Sequence, residues 1–202
     1  MTEFTLDSKL NKTIFRWMMR VFIYSNLLAI FLLPAILNPV DQYQIGKLFG
    51  TMAAIAFLVS QIPGLLRRYS AQGFFRQFGN LLMYSRAHIG TLMFLLATVH
   101  YLLLFVLPTI RDGFTPPDFF TFFGIISFYL CFPLFVTSND WSKKKLKRNW
   151  GRLHKLTYFI LWSIFVHVAL AGGAVLAGVL MFFGIFQIGS FVYAKSLKVS
   201  KN

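Results

Sequence analysis

Long apolar runs alternate with short basic stretches along the whole chain. Six runs come close to the roughly 20 apolar residues that a helix, rising about 1.5 Å per residue, needs to cross a hydrocarbon core about 30 Å thick. They cover residues 21–37, 48–66, 89–107, 119–136, 156–171 and 174–193. Open strands leave backbone groups unsatisfied in lipid, so each run is expected to be a helix. The pattern predicts an all-α, polytopic membrane protein: one domain over 1–202, a bundle of six transmembrane helices. Only Gly172 and Gly173 part the fifth run from the sixth, which predicts a tight helical hairpin.

The charges set an orientation. Lys9, Lys12, Arg16 and Arg20 precede the first run, and Arg67, Arg68, Arg76 and Arg86 follow the second. Lys143, Lys144, Lys145, Lys147, Arg148, Arg152 and Lys155 separate the fourth from the fifth, and Lys195, Lys198 and Lys201 close the chain. The alternate connections hold only Lys47 and Arg111. Because cytoplasmic loops collect lysine and arginine, this alternation predicts cytoplasmic N- and C-termini. The first run should act as an uncleaved anchor, since polar residues precede it and no short apolar core with a small-residue cleavage site is present.

Composition agrees. Charged residues make up 13% of the chain, against about 25% in soluble domains, and 57% is hydrophobic. The net charge of +14 lies between apolar runs rather than on one solvated face, so no nucleic-acid partner is expected. Membrane lipids are, with anionic headgroups drawn to the basic loops. The single cysteine, Cys131, lies in an apolar run and excludes an intrachain disulfide.

Between the second and third runs, residues 69–84 set Phe74, Phe75, Phe78, Leu81 and Leu82 among polar residues at helical spacing. Two readings fit: a helix in the plane of the interface or a partly ordered loop. Residues 108–118, with Pro116 and Pro117, are expected to be irregular. Ala174 and Gly178 form a small-xxx-small pair suited to helix packing.

Candidate chemistry rests on four histidines: His88 and His100 in or beside the third run, His154 and His167 in or beside the fifth. Ionisable groups in a span are costly and mark functional sites. Both helices run the same way, so His88 pairs in depth with His154 near the inner face, and His100 with His167 deeper. The two levels stand roughly 18–20 Å apart along a helix. One imidazole on each side of a planar ring is how a protein holds six-coordinate haem, and two such levels would carry electrons across the bilayer. Zinc fits worse, because it needs three or four ligands converging on one ion. No carboxylate lies within a run, which argues against a carboxylate proton relay.

Residues 137–167, TSNDWSKKKLKRNWGRLHKLTYFILWSIFVH, resemble the ferric reductase-like transmembrane domain family. That family includes NADPH oxidases, ferric reductases and the haem-binding subunit of the bacterial methionine sulfoxide reductase system. Thr137 and Ser138 match its TS pair, and Trp150, Leu153, His154 and Tyr158 match its pattern of Trp, Leu-His and Tyr. His167 follows His154, and His100 follows Gly90, at the family's intervals. The resemblance, over about 84–171, implies haem b, one or two per chain, transmembrane electron transfer, and ligand roles for His100, His154 and His167. One departure stands out: where two-haem relatives carry the inner histidine of the third helix, this chain has Arg86, and His88 lies two residues later. On an ideal helix His88 and His100 point about 120° apart. His88 is thus either an inner ligand or a hydrogen-bond donor to a propionate or headgroup. Arg86, Arg152 and Lys155 either pair with haem propionates or only set topology. Phe94, Phe159, Trp162 and Phe165 either line the ring faces or pack the core.

No flavin or nicotinamide domain is present: the nearest glycine-rich stretch, residues 172–178, follows no strand. Electrons must therefore come from a cytoplasmic flavoprotein reductase, for which residues 143–155 offer a basic dock, or from a quinone donor. The acceptor at the outer face is ferric iron, oxygen or a partner reductase. The expected protein is the haem-binding subunit of an oxidoreductase, integral to a bacterial inner membrane. The alternatives are a haem-free scaffold or assembly factor and a small-solute transporter; the latter predicts broken helices with polar midplane residues, in which these runs are poor.

Overall fold

The computed structural model describes residues 38–69 and 72–199, together with isolated helical positions between 17 and 32. The described residues are helical and contain no strand. The run at 21–37 lies largely outside them.

Helix α1, Pro39–Arg68, is opened by Asn38, whose side chain accepts a hydrogen bond from the Asp41 backbone N–H. Proline at the first helical position costs nothing there, since its missing N–H is one of the unpaired donors. Helix α2, Gly73–Tyr101, leads into a π-helical turn, Leu102–Val106, and then into α3, Leu107–Asp112. Asp118 and Asn139 cap α4, Phe119–Val136, and the short α5, Asp140–Leu146, by accepting from Thr121 N–H and Ser142 N–H. The connection continues through α6, Arg148–Leu153, to α7, Leu156–Leu170. Gly172, at φ 80°, turns the chain into α8, Ala174–Val199. That positive φ favours glycine and makes the hairpin between α7 and α8 possible.

Among the described residues five helical stretches are long and apolar enough to cross a membrane: Pro39–Arg68, Gly73–Asp112, Phe119–Val136, Arg148–Leu170 and Ala174–Ser196. The fourth and fifth runs match their predicted spans almost residue for residue. The second and third differ. Within residues 69–84, the stretch from Gly73 onward is not a separate element: it forms the first turns of the third long helix itself. Phe74, Phe75, Phe78 and Leu81 are exposed on its outer surface. Hydrogen bonds through the π turn carry this helix on to Asp112, so the irregular stretch shrinks to 113–118.

α1 packs along most of α2, while α7 packs against α4 and α8. Phe57, Met93, Phe94, Cys131, Leu134, Ile160, Leu161 and Leu180 form the core. An aromatic column runs through it: Tyr101 stacks on Phe128 at 4.6 Å, Phe128 on Phe94 at 5.3 Å, and Phe94 on Phe135 at 4.4 Å. Phe94 is thus a packing residue, Phe159 is exposed, and Trp162 fills the notch at Gly184 on α8. The close approach of α7 to α8 therefore uses Gly184, while a Cβ at Gly178 would meet nothing.

Candidate cofactor site

α2 ends on His100 and Tyr101, and the π turn follows at once. Such turns widen a helix by one residue and often occur at functional sites. His167 lies one turn before the end of α7. The two imidazoles meet with ring centres 6.1 Å apart and planes at 78°.

Each ring is fixed from behind. His100 donates its Nδ1–H to the Gly46 carbonyl at 2.8 Å, and His167 donates its Nδ1–H to the Phe120 carbonyl at 2.8 Å. A carbonyl only accepts, so the proton of each neutral ring is on Nδ1 and the lone pair is on Nε2. Metal-ligating histidines are held in this way, with the second nitrogen bonded to a backbone carbonyl or carboxylate.

Glycines on the neighbouring helices make the space. A Cβ on Gly50 of α1 would lie 2.6 Å from His100 Nδ1, and one on Gly124 of α4 would lie 2.9 Å from His167 Nδ1. One turn before His167, Ser163 donates to the Phe123 carbonyl at 3.1 Å. With the His167–Phe120 bond, it fixes the register of α7 on α4. Histidine on one helix and glycine on its neighbour are thus a single fitted unit on each side.

Both histidines line a cavity of about 590 Å³, within the range of cofactor sites. Its walls include Ala97, Tyr101, Phe105, Phe128 and Cys131, and Tyr43, Lys47, Thr51 and Thr121 supply polar groups. Lys47 lies over the Tyr43 ring at 5.3 Å. The aromatics at the cavity are therefore Tyr43, Tyr101, Phe105, Phe120 and Phe128, not Phe94, Phe159, Trp162 and Phe165.

The donor set decides what fits. Among the described residues no group of three or more histidine, cysteine or carboxylate side chains converges to hold a bare metal ion. A metal held here by two imidazoles must bring its other ligands, as iron in a porphyrin does. A ligating nitrogen stands about 2 Å from a transition metal and ~1.1 Å from its own ring centre, so two axial imidazoles place their ring centres about 6 Å apart. The observed 6.1 Å separation meets that requirement.

The remaining predicted site residues lie elsewhere. None of His88, His154, Arg86 or Arg152 lines this cavity. His154 caps α6 and is half-buried; its ring stacks on Trp150 at 4.0 Å and its Nε2 is 3.2 Å from the Thr137 hydroxyl. Trp150 donates its indole N–H to the Thr137 carbonyl at 2.8 Å. Of the residues that carry the resemblance, Thr137, Trp150 and His154 thus form one knot that ties the end of α4 to the connection that follows it. His88 and Arg86 are half-buried on α2. Arg152 is exposed and donates to the Asn149 side chain at 3.3 Å. Sequence reasoning missed Gly46, Gly50 and Gly124. The first two repeat at four residues on one helix face, and that spacing was the available signal.

The family of ferric reductase-like transmembrane components matches residues 49–166. The haem-binding subunit MsrQ of protein-methionine-sulfoxide reductase from Brucella anthropi is 40% identical over 101 residues, 46% of this chain and 40% of the relative. The Brucella ovis protein of the same name is 40% identical over 94 residues, 43% of this chain and 41% of the relative. The chain thus matches about two fifths of the length of these relatives. No solved structure matches it. Since the family match covers more than half of the sequence, this chain belongs to the ferric reductase-like transmembrane component family.

Proposed function

We propose that this chain is the haem-carrying membrane subunit of an oxidoreductase and passes electrons across a bacterial inner membrane. One observation carries the proposal: His100 and His167 face each other at 6.1 Å, each with Nδ1 tied to a backbone carbonyl. A relative's printed name, a haem-binding subunit, supports the same cofactor. Bound haem b supplies a one-electron valence change at its iron. The protein's own residues do the rest. His100 and His167 would hold the iron through Nε2, and their Nδ1–H bonds would keep both rings in place. Gly50 and Gly124 admit the rings, and the largely apolar wall would tune the potential of the bound group. With both histidines bound to it the iron would have no open position for an acceptor, so electron transfer would be outer-sphere.

Eighteen of the twenty basic residues fall at one end, counting the run at 21–37 as the first of six spans. That end is then cytoplasmic, with both termini. Electrons enter there from a flavoprotein or quinol and leave at the outer face. A partner reductase is the acceptor best supported, since the relatives are named as subunits of a reductase; ferric iron and oxygen are the other acceptors of this chemistry. One haem per chain is the reading that the geometry favours, because the His154 Nε2 is engaged by Thr137.

The test is a reduced-minus-oxidised visible spectrum and a haem count on the purified protein. A b-type α band at one haem per chain is expected. Absence of the band after haem supplementation would overturn the reading in favour of a haem-free scaffold. A count of two, falling to one in His88→Ala or His154→Ala, would add a second, inner haem.

A further inference from the structure

Below the arginine-rich end of α1 lies a second cavity, of about 450 Å³, between the last turns of α1 and the first turns of α2. We infer that it is a binding site for the headgroup of an anionic phospholipid, held by Arg67 and Arg76.

The observations are independent of the haem site. Arg67 and Arg76 line the groove from two different helices, and both are exposed. Among the described residues the ion pair is Arg111–Asp112, on the far end of α3, and no carboxylate lies within ion-pair distance of Arg67 or Arg76. Two guanidiniums facing one groove repel each other unless an anion lies between them, and guanidinium forks match phosphate oxygens. Asn80 adds a neutral amide at the same level. Gln72 lines it as well, and Pro63, Leu66, Phe75 and Met83 give it an apolar side beside the charges. Its floor is a close contact, since a Cβ on Gly79 would lie 3.2 Å from Leu66. One end of the site is thus cationic and the other greasy, which is the chemistry of a lipid headgroup joined to its acyl chains.

Depth selects the same ligand. The stretch Gly73–Asp112 has 40 residues, hence roughly 60 Å of helix, about twice the hydrocarbon thickness. Its first turns must stand outside the hydrocarbon, at headgroup level. Exposed Phe74, Phe75 and Phe78 on those turns fit the boundary between headgroups and acyl chains. Basic pockets between transmembrane helices bind anionic headgroups by this combination of charge and depth.

The experiment is thermal unfolding of the purified protein in mixed micelles with phosphatidylglycerol, with phosphatidylcholine, or with inorganic phosphate at equal concentration. Phosphatidylglycerol should raise Tm by about 3 °C, and the other two by less than about 1 °C. Arg67→Gln/Arg76→Gln should abolish the rise while leaving the haem spectrum unchanged. Lys143→Gln/Lys144→Gln/Lys145→Gln, on the same end but outside the groove, should retain it. If the double variant does not fold, Arg76→Gln alone should at least halve the rise. The inference is overturned if the groove variants keep the full rise, if the lysine variant loses it equally, or if inorganic phosphate reproduces it.

Discussion

His100 and His167, from helices that never adjoin in sequence, present their imidazoles to each other with ring centres 6.1 Å apart. Each is anchored through Nδ1 to a carbonyl of a third or fourth helix, Gly46 in α1 and Phe120 in α4. Four helices therefore converge on two side chains. On the proposed function, substituting either histidine by alanine would remove one of the two ligands, and among the described residues no group of three or more ligating side chains converges to replace it. His100→Ala and His167→Ala should each retain less than about a tenth of the haem of the wild type, since a single axial ligand remains. A pyridine haemochrome assay against protein concentration checks this.

Gly50 and Gly124 are the second requirement. Alanine at Gly50 would set its Cβ 2.6 Å from His100 Nδ1, with the ring unable to retreat without losing the Gly46 bond. Gly50→Ala and Gly124→Ala should cost about 1–3 kcal/mol in stability, as overpacking does, and lower haem occupancy. Gly90 is the control. Its Cβ would meet nothing, so Gly90→Ala should be neutral or stabilising by about 1 kcal/mol, from helix propensity. Unfolding in detergent, followed with haem absorbance, separates the two outcomes.

The inner histidines should behave differently. His154 spends its Nε2 on the Thr137 hydroxyl and its ring face on Trp150. His154→Ala and His88→Ala should leave the haem between His100 and His167 in place, so the haem-to-protein ratio stays near one. Trp150→Phe keeps the stacking but loses the 2.8 Å bond to the Thr137 carbonyl. It should destabilise the fold by about 1 kcal/mol, the usual worth of such a bond.

Arg68 ties three helices at the basic end. Its guanidinium donates to Ser190 at 2.6 Å and to Tyr158 at 3.4 Å, and lies 4.3 Å from the centre of the Phe191 ring. Arg68→Ala should cost about 2–3 kcal/mol, from a charged hydrogen bond and a cation–π contact. Arg68→Lys should recover only part, because a point charge cannot serve both neighbours at once. Urea or thermal unfolding of the two variants measures the difference.

Orientation is testable by labelling. In a Cys131→Ser background, a cysteine at Lys144 should react with an impermeant maleimide only from the cytoplasmic side, and one at Thr115 only from the outer side. Both positions are exposed. Equal labelling of both from one side would sink the proposed topology.

Amino-acid order alone determined that this is an all-helical membrane protein, where the fourth and fifth apolar runs begin and end, and that histidine is the candidate residue type for its chemistry. Those features are local: apolar length sets a span, Asp118 and Asn139 mark helix starts, and an intramembrane histidine is costly enough to single itself out. Sequence could not show that residues 73–84 belong to the third helix, since their mixed polarity fits interface, loop and helix equally. Nor could it tell which histidines share a cavity. Pairing by depth treats all four alike. Only packing shows that α1 and α4 offer glycine notches and carbonyls to His100 and His167, while His154 turns toward Thr137 and Trp150. The reason is geometric. A span is encoded in one stretch of chain, whereas a cofactor gap is a distance between helices, set by side-chain volumes on four of them at once.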